Sequence, residues 1–404
     1  MSGTSDIFTN TDIYKYTANL TYILDNRAYE IETTSIRTIA IDSNYDQMNM
    51  PMIFMTLGVY QSLANKMLLH QDVGLFILDI KRCVSNSDMP DLYSDYISDK
   101  FIYFIAGNID SENTVEIKED ALSDDTIVTV GLLSLDHVNK NKKTVNGILN
   151  GKLSSAMYYL TGHLPIVIEP PSNNATLENI ILPPVNSVNK SLQYLNSISV
   201  FYNTPYRFFI DFDQAYLISS SGNAVKAKGE NINSVMIIIY HEDKAESKIQ
   251  GMVTNRSQGV YEIFTSSKDC EISDNALSEK SYSNISATNT SGSSSKATLS
   301  TVSSGTSITA KTKTIRISND NNGLLNNLAT SIDQSAVQIL IQKTDIDSSI
   351  FTMNKEYIIQ ANDAYGSDTY NGRYLLTRKR ELYIREDNKF TMDVMLLFKK
   401  VPNN

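Results

Sequence analysis

The stretch FYNTPYRFFIDFDQAYLISSSG, Phe201 to Gly222, places seven aromatic residues and two aspartates two positions apart in one short run. Just upstream, Pro184 leads into Asn186 and Ser187, either of which suits a helix N-cap, and Val188, Leu192, Leu195 and Tyr202 then recur at helical spacing. The pattern predicts a helix over 187–203 that stops at Asn203-Thr204-Pro205. Beyond that proline, Phe208, Ile210 and Phe212 alternate with Phe209, Asp211 and Asp213, and Gln214-Ala215 separate them from Tyr216-Leu217-Ile218. Period two interrupted by a short step predicts a β-hairpin packed under the helix, with Asp211 and Asp213 on its solvent side.

Period two recurs to either side. Asp25-Asn26 is a turn signal between residues 22–24 and the alternating Tyr29, Ile31 and Thr33, which reads as a hairpin. Residues 51–55 form a short apolar strand, and Val59, Leu63 and Met67 with Tyr60 and Leu68 predict one helix face. Strands follow over 73–84 and 101–105. From Leu149, Pro165, Pro170, Pro171, Pro183 and Pro184 predict a connecting region without long regular elements.

Residues 234–240 and 259–264 are again β-forming. In 281–312, 18 of 32 residues are Ser or Thr and almost none is apolar, so an exposed loop is expected there. A strand over 313–318, a short helix over 324–330 and a strand over 336–343 come next. The chain closes on a hairpin, 374–385 and 390–399, around the turn residues 386–389.

A chain of 404 residues exceeds a single core, and the expected fold class is α+β, mainly β. A first β domain spans 8–145. A connecting domain over 146–230 holds helix 187–203 and the aromatic hairpin, and a second β domain over 231–400 is interrupted by the Ser/Thr-rich loop 281–312.

Composition narrows the function. Acidic residues outnumber basic ones 45 to 35, and a net charge of −10 leaves no cation excess to hold a nucleic-acid backbone. The opening MSGTSDIFTNTD has neither a basic n-region nor an apolar h-region, and no run approaches the roughly 18 apolar residues of a membrane span, so neither export signal nor membrane anchoring is expected. Cys83 and Cys270, far apart and outside any C-x-x-C, read as reduced thiols of a protein assembled in cytosol.

Catalytic constellations are missing. His70, His137, His163 and His241 are scattered without partners at metal or triad spacing, and no nucleophile elbow, phosphate loop, dinucleotide fingerprint or zinc-protease motif occurs. Asp211 and Asp213 are the best acid pair, for a cation or for glycan hydrolysis. A hard-cation site needs more oxygen ligands, however, and a hydrolytic pair needs a cleft. Residues 42–46 and 110–113 read as ordinary turns. Lys140, Lys142 and Lys143 read as a solvated basic loop, and the sequons at Asn19, Asn284 and Asn289 carry no weight without an export route. No catalytic, cofactor-binding or metal-ligating residue is assigned, and no cofactor.

The assembled pattern resembles the baseplate hub proteins of contractile-tailed bacteriophages, related in fold to the hub portion of type VI secretion spike proteins. Three stretches carry the likeness: 183–195 running into 201–217; 50–55 with a helix and the strand 75–80; and Asn371-Gly372-Arg373-Tyr374-Leu375-Leu376 with the terminal hairpin. The resemblance implies two tail-tube-like β-barrel domains per chain and a homotrimer joining the sixfold tail tube protein to the threefold central spike protein. Other baseplate proteins would be further partners. Phage DNA would pass through the channel without specific binding. It also implies a non-enzymatic virion component assembled in the host cytoplasm. Another tail component, a tail-associated glycan hydrolase using Asp211 and Asp213, and an adhesin with the Ser/Thr tract as a stalk are the competing readings.

Overall fold

Asp25 and Asn26 take φ values of 50° and 61°, the left-handed pair that lets a two-residue turn follow the twist of its strands, and they join β1 (Tyr14–Leu24) to β2 (Arg27–Ile31). The computed structural model describes residues 14–45, 50–71, 73–86, 89–107, 125–172, 174–202, 206–212, 214–219, 234–240, 252–255, 260–266, 269–273, 281–289, 294–302, 313–318, 337–343, 348–353, 355–362 and 370–401.

The first region continues with β3 (Ile36–Asn44), β4 (Met52–Tyr60), α1 (Gln61–Leu69), β5 (Leu75–Asn86), β6 (Met89–Ile105), β7 (Asp125–Ser134) and α2 (Leu135–Asn141). A middle region holds β8 (Val145–Lys152), α3 (Leu153–Thr161), β9 (Ile166–Ile168), β10 (Thr176–Val185), α4 (Val188–Ile198), β11 (Tyr206–Asp211) and β12 (Gln214–Ser219). The last region runs through β13 (Ser234–Tyr240), β14 (Met252–Asn255), β15 (Val260–Ser266), β16 (Cys270–Ser273), β17 (Ser281–Asn289), β18 (Ser294–Val302), β19 (Lys313–Ser318), β20 (Gln338–Lys343) and β21 (Glu356–Asn362). It ends on the long pair β22 (Gly372–Glu386) and β23 (Lys389–Lys400). The fold is mainly β, as the sequence predicts, and the described residues hold four α-helices, of which α2 and α3 are not among those expected.

One sheet dominates. Its pairings run β22–β3–β4–β7–β6–β5–β1–β23, and β23 pairs back onto β22, so eight strands form a closed circuit. From that circuit β22 continues through β21 and β13 to β15 and β14, while β23 continues through β20 to β16. The terminal hairpin therefore belongs to both halves of the sheet. A register shift between Leu376 and Arg378 marks where β22 leaves β21 and takes up β3. Just past it Arg378 grips Asp42 of β3, Nε to Oδ1 at 2.9 Å and Nη2 to Oδ2, and Asp42 is buried. This fork-on-fork pair fixes the register where the sheet changes partners.

Buried side chains of both β-rich regions form one continuous core, from Tyr16, Tyr22 and Phe76 to Ile237, Ile339 and Phe398. A second, smaller core lies in the middle region, where α3 and α4 cover the ribbon β8–β10 and the hairpin β11–β12. Close packing also explains one glycine: a Cβ on Gly131 would stand 2.3 Å from the Phe104 ring on the neighbouring strand.

Several local expectations change. Val59 and Tyr60 end a strand instead of opening a helix; Ile53, Met55, Leu57 and Val59 alternate inward along β4, and the bulky Met52 and Phe54 on its outer face conceal that period in the sequence. The helix expected over 187–203 is α4, which ends at Ile198, with Ser187 at its N-cap through backbone alone. Pro183 and Pro184 lie inside β10 rather than preventing it, because β10 borders a two-stranded ribbon and its outer edge needs no N–H.

The Ser/Thr tract is not a plain loop: β17 and β18 occupy much of it and pair with each other, and β18 also pairs with β19, in a separate three-stranded sheet. Thr is a good strand former, and backbone pairing does not require an apolar core of the tract's own. Asp42, read as part of a turn, is the buried strand residue that Arg378 holds. The short helix expected over 324–330 lies outside the described residues.

Candidate functional site

The opening stretch folds as the hairpin β11–β12, with Phe209 opposite Tyr216 and Phe208 opposite Leu217. Its two faces enter different cores. Phe209, Tyr216 and Ile218 join the large core, where Phe209 stacks on Tyr216 at 5.1 Å and meets Tyr45 edge-on at 5.0 Å between ring centroids. Phe208, Ile210, Ala215 and Leu217 join the smaller core against α3 and α4. The hairpin is a seam.

For Asp211 this corrects the solvent-side reading. Asp211 ends β11, half-buried, on the face that Phe209 turns toward the large core, and Phe212 follows in a left-handed turn with φ 29°. Burial, with the Asp211 charge next in size, pushes the Tyr45 phenol well above its ordinary value. Asp213 lies outside the described residues.

Polar ties hold the seam in register. The Tyr202 hydroxyl lies 2.9 Å from the Glu169 carbonyl and 3.1 Å from that of Leu217, and burial pushes its pKa well up, so it remains a donor. Ser219 donates its N–H and its hydroxyl to the Glu169 carboxylate at 2.6 and 2.9 Å. β9 adds a parallel strand along β12.

The inside of the eight-strand circuit is filled. Glu381 on β22, 1 % exposed, accepts from the Tyr96 hydroxyl at 2.7 Å and the Tyr383 hydroxyl at 3.3 Å, with Lys379 Nζ at 3.4 Å. Tyr22 and Tyr103 meet hydroxyl to hydroxyl at 3.1 Å, and Tyr103 donates to the Met67 carbonyl of α1 at 2.6 Å. Burial above all raises the Tyr96 and Tyr383 phenols well above ordinary values, so both remain donors to the carboxylate. Such a buried acid is tolerated because its lone pairs are satisfied.

Neither cysteine is in a disulfide; Cys83 is buried, and burial raises the Cys270 thiol to about 12. His137 is buried on α2, His163 is half-buried, and His70 caps the end of α1 through Lys66 O at 2.9 Å, so three of the four histidines occupy different local settings. His241 lies outside the described residues. Among the described residues no three of His, Cys, Asp and Glu stand together as metal ligands, and no helix is long and apolar enough to cross a membrane.

What sequence reasoning missed is on the outside. Ile148 of β8 and Ile181 of β10 are direct cross-strand partners, 65 % and 67 % exposed, beside the exposed Tyr159 of α3. Tyr60 before α1, Leu68 and Leu69 at its end and Val73 beyond it are exposed as well. Ile148-Leu149 and Ile180-Ile181 each show two adjacent apolar residues, one for each face of a ribbon covered on one side only; that was the available signal.

The chain is similar to the tail protein from Neisseria meningitidis MC58, with 10% identity, TM-score 0.47, and coverage of 95% of this chain and 97% of the other. For the 43 kDa tail protein of prophage MuSo2 from Shewanella oneidensis the figures are 8% identity, TM-score 0.40, and 96% and 100% coverage. For the E. coli c3393 protein, described as a component of the type VI secretion system, they are 8%, 0.36, and 98% and 75%. No curated protein matches the sequence. The family model of the Bacteriophage PBS1 gene 109 protein matches residues 7–401, and the chain belongs to that family.

Proposed function

We propose that the protein is a non-enzymatic structural component of a phage tail, the hub of its baseplate, three copies of which join a sixfold tube to a threefold spike around the DNA channel. Membership of a bacteriophage protein family over nearly the whole chain supports a virion component. In this reading 8–145 and 231–400 are the two tube-like units and 146–230 connects them, so that three chains supply six units. The virion tail is its location, after assembly in the host cytoplasm, and its partners are a tube protein, a spike protein and other baseplate proteins.

The observation that carries this reading is the shared hairpin β22–β23. It pairs with strands of both β-rich regions and sits in one continuous core with them, which suits a part that must transmit load without hinging. Because tyrosines, phenylalanines and Glu381 fill the eight-strand circuit, DNA would pass between copies rather than through one. A net charge of −10 suits a channel that releases phosphate backbones.

Mass photometry of the purified chain, with electron microscopy of the particles formed, tests the reading. A trimer with a threefold ring is expected. A chain that stays monomeric at micromolar concentration and forms no ring overturns it.

A further inference from the structure

We infer that the hairpin β11–β12, carrying the middle region with it, is a lid on the large core that lifts as one body while both cores stay folded. A single chain has this property, whatever assembly it joins.

The hairpin is held differently on its two sides. Toward the middle region its ties are directional: Glu169 N donates to the Leu217 carbonyl at 2.9 Å and Ala215 N to the Pro165 carbonyl at 2.8 Å, beside the Tyr202 and Ser219 bonds. Toward the large core it offers Phe209, Tyr216, Ile218 and the partly buried Phe212. Contact of this apolar kind closes and reopens without a fixed angle, whereas the hydrogen-bonded side moves with the hairpin.

Polar groups under the lid oppose its closure. The Tyr45 ring meets Phe209 edge-on, and Tyr45 is 4 % exposed and Ser43 2 %. Burial first, and then the Asp211 carboxylate, hold the Tyr45 phenol protonated, so it needs an acceptor. Its hydroxyl and Ser43 Oγ lie near each other, yet neither makes a well-formed hydrogen bond to a described residue. Buried hydroxyls in this state are costly, and lifting the hairpin gives them water. Phe212 acts the other way. An aromatic residue is strained at φ 29°, and its ring, packed against the large core, holds down the tip of the lid. A lid closed by rings and opposed by unmet hydroxyls opens at a lower free energy than the cores unfold.

Alkylation of thiols in the full-length chain tests the lid, with each cysteine followed separately by peptide mass mapping. The thiol introduced by Ile218→Cys, on the large-core face, should react at least about tenfold faster than the one introduced by Leu217→Cys on the other face, while the buried native Cys83 of the large sheet stays protected. Tyr45→Phe with Ser43→Ala removes both hydroxyls and should slow the reaction at position 218 by about threefold or more. Phe212→Gly removes the anchoring ring and should speed it by about the same factor. Equal rates on the two faces, or reaction at position 218 only together with Cys83, would mean that the seam opens only by global unfolding, and would overturn the lid. So would a rate that hydroxyl removal leaves unchanged or raises, or one that Phe212→Gly fails to raise. Where Ile218→Cys itself exposes Cys83, Tyr216→Cys reads the same face.

Discussion

The hairpin β11–β12 and the ribbon β8–β10 are both antiparallel pairs of the middle region, built from short apolar runs, yet they are used in opposite ways. The hairpin buries both faces, each in a different core. The ribbon buries Ile180 and Leu182 and half-buries Leu149 against the helices, and turns Ile148 and Ile181 outward. A strand pair covered on both sides joins two bodies of one chain, whereas a pair covered on one side leaves apolar side chains in water. The difference lies in what each face meets and not in the β-forming power of the residues.

The largest way to break this contrast is Phe209→Ala, which removes a fully buried ring that packs on Tyr216 and Tyr45. A loss of about 3–5 kcal/mol in urea unfolding is expected. Leu217→Ala, on the opposite face of the same hairpin, should cost about 2–5 kcal/mol, because the smaller core loses a buried branched side chain. Similar losses from the two substitutions would sharpen the picture of a seam. A loss confined to one face would break it.

A pH series gives a smaller effect. His163, in the turn between α3 and β9, is held below its ordinary pKa by burial first, with the Lys143 charge adding to it and the Lys140 carbonyl opposing. The unfolded chain therefore binds this proton more readily than the folded one. Its contribution to stability is complete above the unfolded value of about 6.5 and declines as pH falls below it. His163→Gln should flatten the drop in melting temperature between about pH 7 and pH 5; an unchanged slope would show that this turn does not couple to the fold.

Ile148→Ser should be the mildest change, within about 0.5 kcal/mol in the isolated chain, since the side chain already stands in water. A much larger loss would show that the outer face of the ribbon is covered within the chain, and the contrast with the hairpin would fail.

Much of this was legible locally. Asp25-Asn26 gave its turn, the alternation of Tyr29 and Ile31 gave β2, and the spacing of Val188, Leu192 and Leu195 gave the buried face of α4. The terminal hairpin could be read because long β runs flank a short polar turn in which Asp387 takes φ 54°. The Ser/Thr tract has too little apolar content to predict order, yet strand pairing draws on backbone groups that every residue carries.

The sequence by itself determined the β-rich class, the turns, and which side chains share a face of each strand, since period and turn chemistry act over a few residues. Only the tertiary structure decided that Phe209 and Phe208 belong to different cores, that Arg378 would reach Asp42 across 336 positions of chain, and that β23 would close the circuit onto β22 and β1. The physical reason is that periodicity fixes a face, but the burial that stabilises it depends on whichever distant strand or helix arrives to cover it.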